Sequence, residues 1–291
     1  MVEDRNAAGL LAVAAGDLTR QPLDTGALLI PYRAMLDVPH EVVEHISWLI
    51  YARRCELNSR QRKLGCFRQA LLVLVHLRKN ETPAQLAAAF GVSTATAGRY
   101  VNETAGLLAE HAPSLHQALH KPPPEGFVIL DGTLTATDRI RADEPYYSMK
   151  HRRHGMNVQV VAAPDGTPLW FSRALPGRTH DLTSPSLRPG APPARAHGVI
   201  QACLSHQLLV LADRACQGAG ATVRTPYYGH RDLPEHYQRY NRDHTRLRAP
   251  GERAFARLKQ WRILRKARCS TNRIGRTVAA VHAIEIAWRS G

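Results

Sequence analysis

Three carboxylates stand where the sequence pattern would place functional side chains. Asp131 and Asp213 each end a short apolar run, "VILD" and "LVLAD", that predicts a buried strand. Glu252 opens a stretch of helical character. Functional side chains collect where the strands of α/β sheets terminate, because the strand fixes the backbone while the side chain projects beyond it. Each aspartate is also compatible with a turn or cap residue, and Glu252 with an acid favoured by the helix dipole.

Carboxylates that approach one another repel unless a cation lies between them. All-oxygen ligand sets suit Mg²⁺ or Mn²⁺ rather than zinc. Three converging carboxylates therefore indicate a site for divalent cations. In sites that cleave phosphodiesters, two such cations about 4 Å apart can both activate the attacking oxygen and relieve charge on the leaving oxygen.

The segment that follows Glu252 is strongly basic. Residues 249–268, "APGERAFARLKQWRILRKAR", hold this one acid among seven arginines and lysines. Such a flank would neutralise the phosphates on either side of the scissile bond. The residues that we expect to lie along the substrate backbone are Arg253, Arg257, Lys259, Arg262 and Arg265.

The charge of the whole chain favours a polyanionic partner. It has 39 Lys and Arg against 24 Asp and Glu, a formal net charge of +15. An Arg-rich composition also suits a GC-rich genome. That explains why arginines outnumber lysines, but not why basic residues outnumber acidic ones. We therefore expect double-stranded DNA as the partner. The five cysteines never form C-x-x-C, so neither a disulfide framework nor a zinc site is indicated.

The elements that must position these residues change character along the chain. Residues 41–118 have helical periodicity, and the proline-rich stretch "HKPPPEGF" predicts a domain boundary. Beyond it, "FVILDG", "MNVQVVAA", "PLWFSRA" and "QLLVLAD" predict strands, and residues 271–287 predict a helix. The expected fold is α + α/β, a helical domain followed by an α/β domain. The apolar run "ALLVLVHL" is too short to span a bilayer.

A helix-turn-helix is predicted at residues 82–109. Thr82 is an N-cap candidate for a helix ending at Phe90, Gly91 suits a turn with positive φ, and Ser93 caps a second helix. Ala87, Val92 and Val101 are expected in the shared core. Two ordinary packed helices would give the same pattern. In a chain this basic, the exposed residues Thr94, Thr96 and Arg99 are expected to face a DNA groove.

Taken together, these motifs resemble the DDE-superfamily insertion-sequence transposases of the Harbinger-like type. The resemblance rests on "ILDGT", "HGMNVQVVAAPDGTPLWFS", "PGRTHD", "VLADRACQG" and "ERAFARLKQWRIL", in that order, and on the helix-turn-helix. It runs from about residue 40 to residue 289. It implies a ribonuclease H-like fold with Asp131, Asp213 and Glu252 as catalytic and metal-binding residues. It adds Asp181 as a further candidate ligand, for which a cap after the loop "LPGRTH" is an equal alternative.

The resemblance also implies an activity. Water would nick the ends of a mobile element, and the freed 3′-hydroxyl would then attack target DNA, with two Mg²⁺ or Mn²⁺ ions held by the carboxylates. The partners would be terminal inverted repeats, target DNA and further copies of the chain on DNA. The implied domains are an N-terminal tail (1–40, partly ordered), a DNA-binding domain (41–119) and a catalytic domain (120–291), in a cytoplasmic, nucleoid-associated protein.

Some features stay open at this point. Family members often have Gly-Tyr where this chain has Ala215-Cys216, beside the second aspartate. The loop residues Lys150, Arg152 and Arg153 are candidates for DNA contact, and a solvated basic loop is an equal alternative. Alternative functions are a domesticated, non-transposing DNA-binding protein and an RNA-cutting ribonuclease. The carboxylates argue against the first and the helix-turn-helix against the second.

Overall fold

The computed structural model describes residues 36–59, 62–137, 145–149, 151–180, 198–220, 222–228 and 233–290. The elements below all belong to one compact unit, Val38–Gly291. In the described part of the chain, helices alone precede the first long strand. They are α1 His40–Glu56, α2 Cys66–Lys79, α3 Pro83–Phe90, α4 Thr94–Glu110 and α5 Leu115–Leu119.

Helices α3 and α4 form the predicted helix-turn-helix. The Thr82 side chain accepts the backbone N–H of Gln85, whose side chain bonds back to the backbone of Thr82. Gly91 ends α3 at φ +65°, a conformation that costs glycine little. Ser93 then caps α4 by accepting the backbone N–H of Thr96. The local sequence thus fixes both helix ends and the turn between them.

The buried face of α4 is turned by one residue from the expected one. Ala87 and Val92 are buried as predicted, but Val101 is only half-buried. Tyr100 lies in the core instead, at 2% exposure, and its hydroxyl accepts the backbone N–H of Leu64. An aromatic side chain that also finds a hydrogen-bond partner gains more from this position than valine would.

The remaining elements form the second half of the unit. The strands are β1 Phe127–Thr137, β2 Tyr147–Ser148, β3 Arg153–Ala162, β4 Pro168–Phe171, β5 Leu175–Pro176, β6 Leu209–Leu211, β7 Val223–Arg224 and β8 Lys266–Ala267. The helices are α6 Val199–Ser205, α7 Glu235–Arg248, α8 Gly251–Gln260 and α9 Thr271–Ser290.

One mixed sheet organises these strands. Its main path runs β2-β3-β1-β6-β7, with β4 and β5 also pairing with β3, and β8 with β1. Strand β3 is antiparallel to β1, β4 and β5, whereas β6 is parallel to both β1 and β7. The turn at residues 164–167 joins β3 and β4 as the sequence predicts. A helical part followed by a mixed sheet with helices confirms the expected α + α/β class.

Asp131 does not end its strand as predicted. Strand β1 continues to Thr137, because its ladder with β3 extends to the pair Ala136 and Gly155. The β-branched residues Thr133 and Thr135 are buried in this second half of the strand. Because threonine is polar, these residues did not indicate a buried strand in the sequence. Pairing with the long strand β3 nevertheless extends β1 through them. Asp131 therefore lies in the middle of β1.

The C-terminal helix joins the two halves of the unit. Helix α9 packs along α4 and also contacts α1, β3 and β4. The Arg78 guanidinium of α2 lies 5.1 Å from the ring centre of Trp261, which directly follows α8. The Trp261 indole N–H donates to Glu285 of α9 at 2.7 Å. The helix-turn-helix is thus packed against elements that flank the candidate site.

Candidate active site

The pairing of β1 with β6 sets the relative position of the two aspartates. The strands are parallel, and Phe127 lies opposite Leu209 and Ile129 opposite Leu211. The last pair of this register, Ile129 and Leu211, lies two residues before an aspartate in each segment. Asp131 continues β1, whereas Asp213 lies just beyond the end of β6.

Alternation along β1 decides which face of the sheet carries Asp131. Val128 and Leu130 belong to the apolar cluster that packs against α6. Ile129 faces the other way, toward the first turn of α8. Because side chains alternate along a strand, Asp131 shares the face of Ile129. The candidate site therefore lies on the side of the sheet covered by α7 and α8.

The Asp131 carboxylate is already engaged by positive and polar groups. Its Oδ1 atom accepts the backbone N–H of Gly132 at 2.9 Å. The same atom accepts a hydrogen bond from Arg248 Nη2 at 3.3 Å, in an ion pair whose side chains are about one-fifth exposed. Sequence reasoning missed Arg248. A usable signal was its position four residues before Glu252, one helical turn away.

Asp213 caps a short turn directly beyond β6. Its side chain accepts the backbone N–H of Ala215 at 3.0 Å and opens the 3₁₀ turn Arg214–Cys216. Cys216 is buried in the apolar cluster behind the sheet. The Ala-Cys pair therefore leaves the turn formed, because Ala215 contributes its backbone and Cys216 fills the core.

Two glycines hold the beginning of α8 against the sheet. A Cβ on Gly251 would come within 2.7 Å of Ile129 Cγ2. A Cβ on Gly166, in the β3–β4 turn at φ +86°, would collide with the backbone oxygen of Pro250. This close approach places the backbone of Glu252 beside β1, two residues along the strand from Asp131. The Glu252 side chain itself is exposed.

The donor chemistry fits a hard divalent cation, and the geometry fits it in part. Asp131 and Asp213 each follow the last pair of the β1–β6 register by two residues, and Asp131 already binds a cationic group, the guanidinium of Arg248. Across the described ranges, however, no group of three or more His, Cys, Asp or Glu side chains is arranged to hold a metal ion. The three candidate carboxylates therefore have suitable donor atoms but do not form a complete ligand set in this structure.

The basic residues expected along the substrate mostly lie on exposed surface of α8 and the turn after it. Arg253, Arg257, Arg262 and Arg265 are exposed, and Arg253 donates to the backbone oxygen of Asp165 at 3.0 Å. Lys259 is half-buried. Burial lowers its pKa, the charge of Arg153 lowers it further, and Asp131 opposes the shift. Lys259 therefore lies within electrostatic reach of Asp131.

The other predicted site residues differ in exposure, and some of them lie outside the described residues. Arg152, in a turn at φ +48°, and Arg153, at the start of β3, are exposed. Lys150 and Asp181 lie outside the described residues, as does the predicted tail as far as residue 35. On α4, Thr94 and Arg99 are exposed, whereas Thr96 is half-buried and its hydroxyl accepts a hydrogen bond from Ser93. The Thr96 hydroxyl is thus engaged by the N-cap residue of α4.

No helix among the described residues is long and apolar enough to cross a membrane.

Comparison with known proteins gives two family matches. Residues 62–114 match a family described as the helix-turn-helix of DDE superfamily endonuclease, and residues 130–284 match the DDE superfamily endonuclease itself. The second match contains all three candidate carboxylates.

A curated relative agrees with these matches. A protein of Streptomyces albus G, assigned as the transposase for insertion sequence element IS112, is 31% identical over 203 residues. The similarity covers 69% of this chain and 71% of the relative. Family matches to both halves, together with this identity, establish what the order of motifs indicated. The chain belongs to the DDE superfamily of insertion-sequence transposases.

Proposed function

We propose that this chain cuts DNA at the ends of a mobile element and joins those ends to target DNA, with Asp131, Asp213 and Glu252 as its catalytic residues. The observation that carries the proposal is the register of β1 and β6. Its last pair, Ile129 and Leu211, lies two residues before each aspartate, and Gly251, next to Glu252, packs against Ile129. The family membership supplies the reaction class.

The sheet supports a ribonuclease H-like catalytic domain. Three antiparallel strands, β4, β3 and β1, are followed by two strands parallel to β1, in the spatial order β4-β3-β1-β6-β7. We assign this domain to residues 120–291, the DNA-binding domain to residues 41–119, and a partly ordered tail to residues 1–40. Helix α9 belongs to the catalytic part by sequence and packs against the DNA-binding part.

The mechanism divides the work among the residues of this chain. Asp131, Asp213 and Glu252 are the residues that would hold divalent cations against the scissile phosphate. Two Mg²⁺ or Mn²⁺ ions held there would supply the activation of the nucleophile and the stabilisation of the leaving oxygen. The exposed arginines of α8 and its following turn neutralise the neighbouring phosphates. Lys259 adds positive charge beside Asp131.

Recognition of the element ends is assigned to the helix-turn-helix. Thr94 and Arg99 project from the first turns of α4, where a recognition helix meets base edges, and Thr96 lies beside them. Lys150, Arg152 and Arg153 would contact backbone phosphates. We place the protein on chromosomal DNA in the cytoplasm, where copies of the chain bound to the two terminal repeats would assemble into an oligomer.

A nicking assay on a terminal-repeat duplex tests this function. With Mg²⁺ or Mn²⁺, cleavage should fall by a factor on the order of 10³ or more for Asp131→Asn, Asp213→Asn and Glu252→Gln, while duplex binding is kept. The triple variant should be little worse than any single variant, because the three residues act as one site. Unimpaired cleavage by Glu252→Gln would remove that residue from the mechanism.

One observation favours a second candidate, a domesticated DNA-binding protein that no longer cuts. In the described residues the three carboxylates do not form a ligating group. Sequence-specific binding by the unaltered chain without any metal-dependent nicking would establish this alternative. Nicking that requires Asp131 would exclude it.

A further inference from the structure

The ion pair between Asp131 and Arg248 occupies the centre of the candidate site. Arg248 Nη2 lies 3.3 Å from Asp131 Oδ1, and the two side chains are only 20% and 21% exposed. Arg248 Nε is buried and has no hydrogen-bond partner among the described residues. The guanidinium therefore neutralises the carboxylate while part of its own hydrogen-bonding capacity remains unused. That is an incomplete pairing rather than a fully satisfied structural one.

The chain brings Arg248 close in sequence to a second candidate ligand. Arg248 is the last residue of α7, and the next two residues, Ala249 and Pro250, keep right-handed helical dihedral angles. The chain therefore turns directly from α7 into α8, and Arg248 precedes Glu252 by about one turn. The guanidinium that pairs with Asp131 and the candidate ligand Glu252 thus come from the same stretch of chain.

We propose that Arg248 is the resident counter-ion of Asp131 in the metal-free protein, and that a divalent cation binds by displacing its guanidinium. The proposal rests on the function above, since it takes Asp131 as a metal ligand. A partly buried carboxylate needs a positive partner. A guanidinium and a divalent cation bound to the same Oδ1 atom repel each other, so binding of the metal favours release of Arg248. The displaced guanidinium, still tethered at the end of α7, can then donate to a phosphate oxygen of the substrate.

Competition of this kind lowers the apparent affinity for the metal, because only the fraction of molecules with a released carboxylate can bind it. We would measure Mn²⁺ binding directly, by electron paramagnetic resonance of free Mn²⁺, on the full chain without DNA and at constant ionic strength. Arg248→Gln should bind Mn²⁺ about fivefold more tightly than the unaltered chain, the factor expected for losing one part-buried ion pair. Arg248→Met keeps the aliphatic stem and gives the same comparison if the glutamine variant does not fold.

The matched control is Arg246→Gln. Arg246 is an exposed arginine on the same helix, two residues from Arg248. Its loss changes the net charge equally, so its Mn²⁺ affinity should stay within about twofold of the unaltered chain. An Arg248→Gln affinity that is unchanged, weaker or equal to that of Arg246→Gln would overturn the proposal.

Mn²⁺ binding by variants that carry Asp131→Asn distinguishes a failure of this inference from a failure of the proposed function. If Asp131→Asn leaves Mn²⁺ binding intact, Asp131 is not a ligand and the proposed metal site fails. If Asp131→Asn abolishes binding but Arg248→Gln does not tighten it, the displacement alone fails. The expected result is that Asp131→Asn weakens binding strongly, and that Arg248→Gln adds nothing in that background.

Duplex binding gives a second, independent readout. Displacement predicts that Arg248→Gln weakens affinity for a terminal-repeat duplex by about fivefold when Ca²⁺ is present and by less than about twofold in EDTA. In EDTA the guanidinium is still held by Asp131 and contributes little to the phosphate. An equal loss in both conditions would mean that Arg248 contacts DNA without being displaced, and would overturn the proposal.

Discussion

Gly251 and Ile129 touch so closely that no side chain fits between them. A Cβ on Gly251 would come within 2.7 Å of Ile129 Cγ2. Gly251 is buried and directly precedes Glu252, so this contact sets the distance between the start of α8 and the strand that carries Asp131. We therefore expect the position of Glu252 relative to Asp131 to depend on the absence of a side chain at residue 251.

Replacing Gly251 should therefore separate cleavage from binding. Gly251→Ala must push α8 away from β1, and a displacement of about 1 Å lowers the rate of a positioned reaction by about a hundredfold. Affinity for the terminal-repeat duplex should change little, because Gly251 and Ile129 are not part of the helix-turn-helix. Nicking rates and duplex affinities of the purified variant measure both effects.

Two further variants control this experiment. Gly106→Ala, in α4, places its new methyl group in open space and should stabilise the protein by about 0.5–1 kcal/mol without reducing cleavage. Ile129→Leu removes Cγ2 and should restore part of the activity of Gly251→Ala. Normal cleavage by Gly251→Ala alone would show that the position of α8 is not critical.

Arg99 should determine sequence preference rather than general affinity. Arg99→Ala in the full chain should reduce the preference for the terminal repeat over a scrambled duplex by about 1–3 kcal/mol. Arg68→Ala removes the same charge from an exposed site on α2, outside α3 and α4, and should leave that preference unchanged. Competition binding with both duplexes measures the ratio. An unchanged preference in Arg99→Ala would assign recognition to other residues.

The high net charge should appear as salt dependence. With a formal charge of +15, the chain should release many counterions on binding, so the logarithm of affinity should fall steeply and linearly with the logarithm of salt concentration. Arg262→Gln should reduce that slope by about 1 if the exposed guanidinium contacts one phosphate. Titrations at four or more salt concentrations give the slope. A flat dependence would contradict the electrostatic account.

His282 should make stability depend on pH. Burial lowers its pKa from 6.5 to about 4 in the folded chain, where the ring packs edge-on against Phe171 at 5.0 Å. Between these values the unfolded chain binds more protons, so stability falls as the pH is lowered from 6.5 toward 4, by up to about 3 kcal/mol. Thermal unfolding at pH 7.5 and pH 5 measures the loss.

Two variants test this prediction, His282→Gln and its control His236→Gln. The first removes the buried titrating ring and should show a smaller loss of stability between pH 7.5 and pH 5. The second removes a histidine from an exposed position and should behave like the unaltered chain. Equal pH sensitivity in all three proteins would mean that other groups control acid unfolding.

The helix-turn-helix was predictable from the sequence, because the helix caps at Thr82 and Ser93 and the turn at Gly91 involve only residues a few positions away. Asp131 was wrongly placed at a strand end, because the extension of β1 depends on its partner β3. The ion pair with Arg248 joins residues more than a hundred positions apart, so the nearness of Arg248 to Glu252 in sequence could not show that it reaches Asp131. The two close glycine contacts of α8 likewise exist only after the sheet has formed.

The packing of α9 on α4 has a consequence for how the molecule is made. Helix α4 leaves the ribosome long before α9, and although it packs on α1, α2 and α3, a large part of its contacts form only with α9. Until α9 is synthesised, the helical part of the chain exposes apolar surface and lacks its final support. We therefore expect a nascent or truncated product that ends before Thr271 to compete poorly with the full chain for DNA.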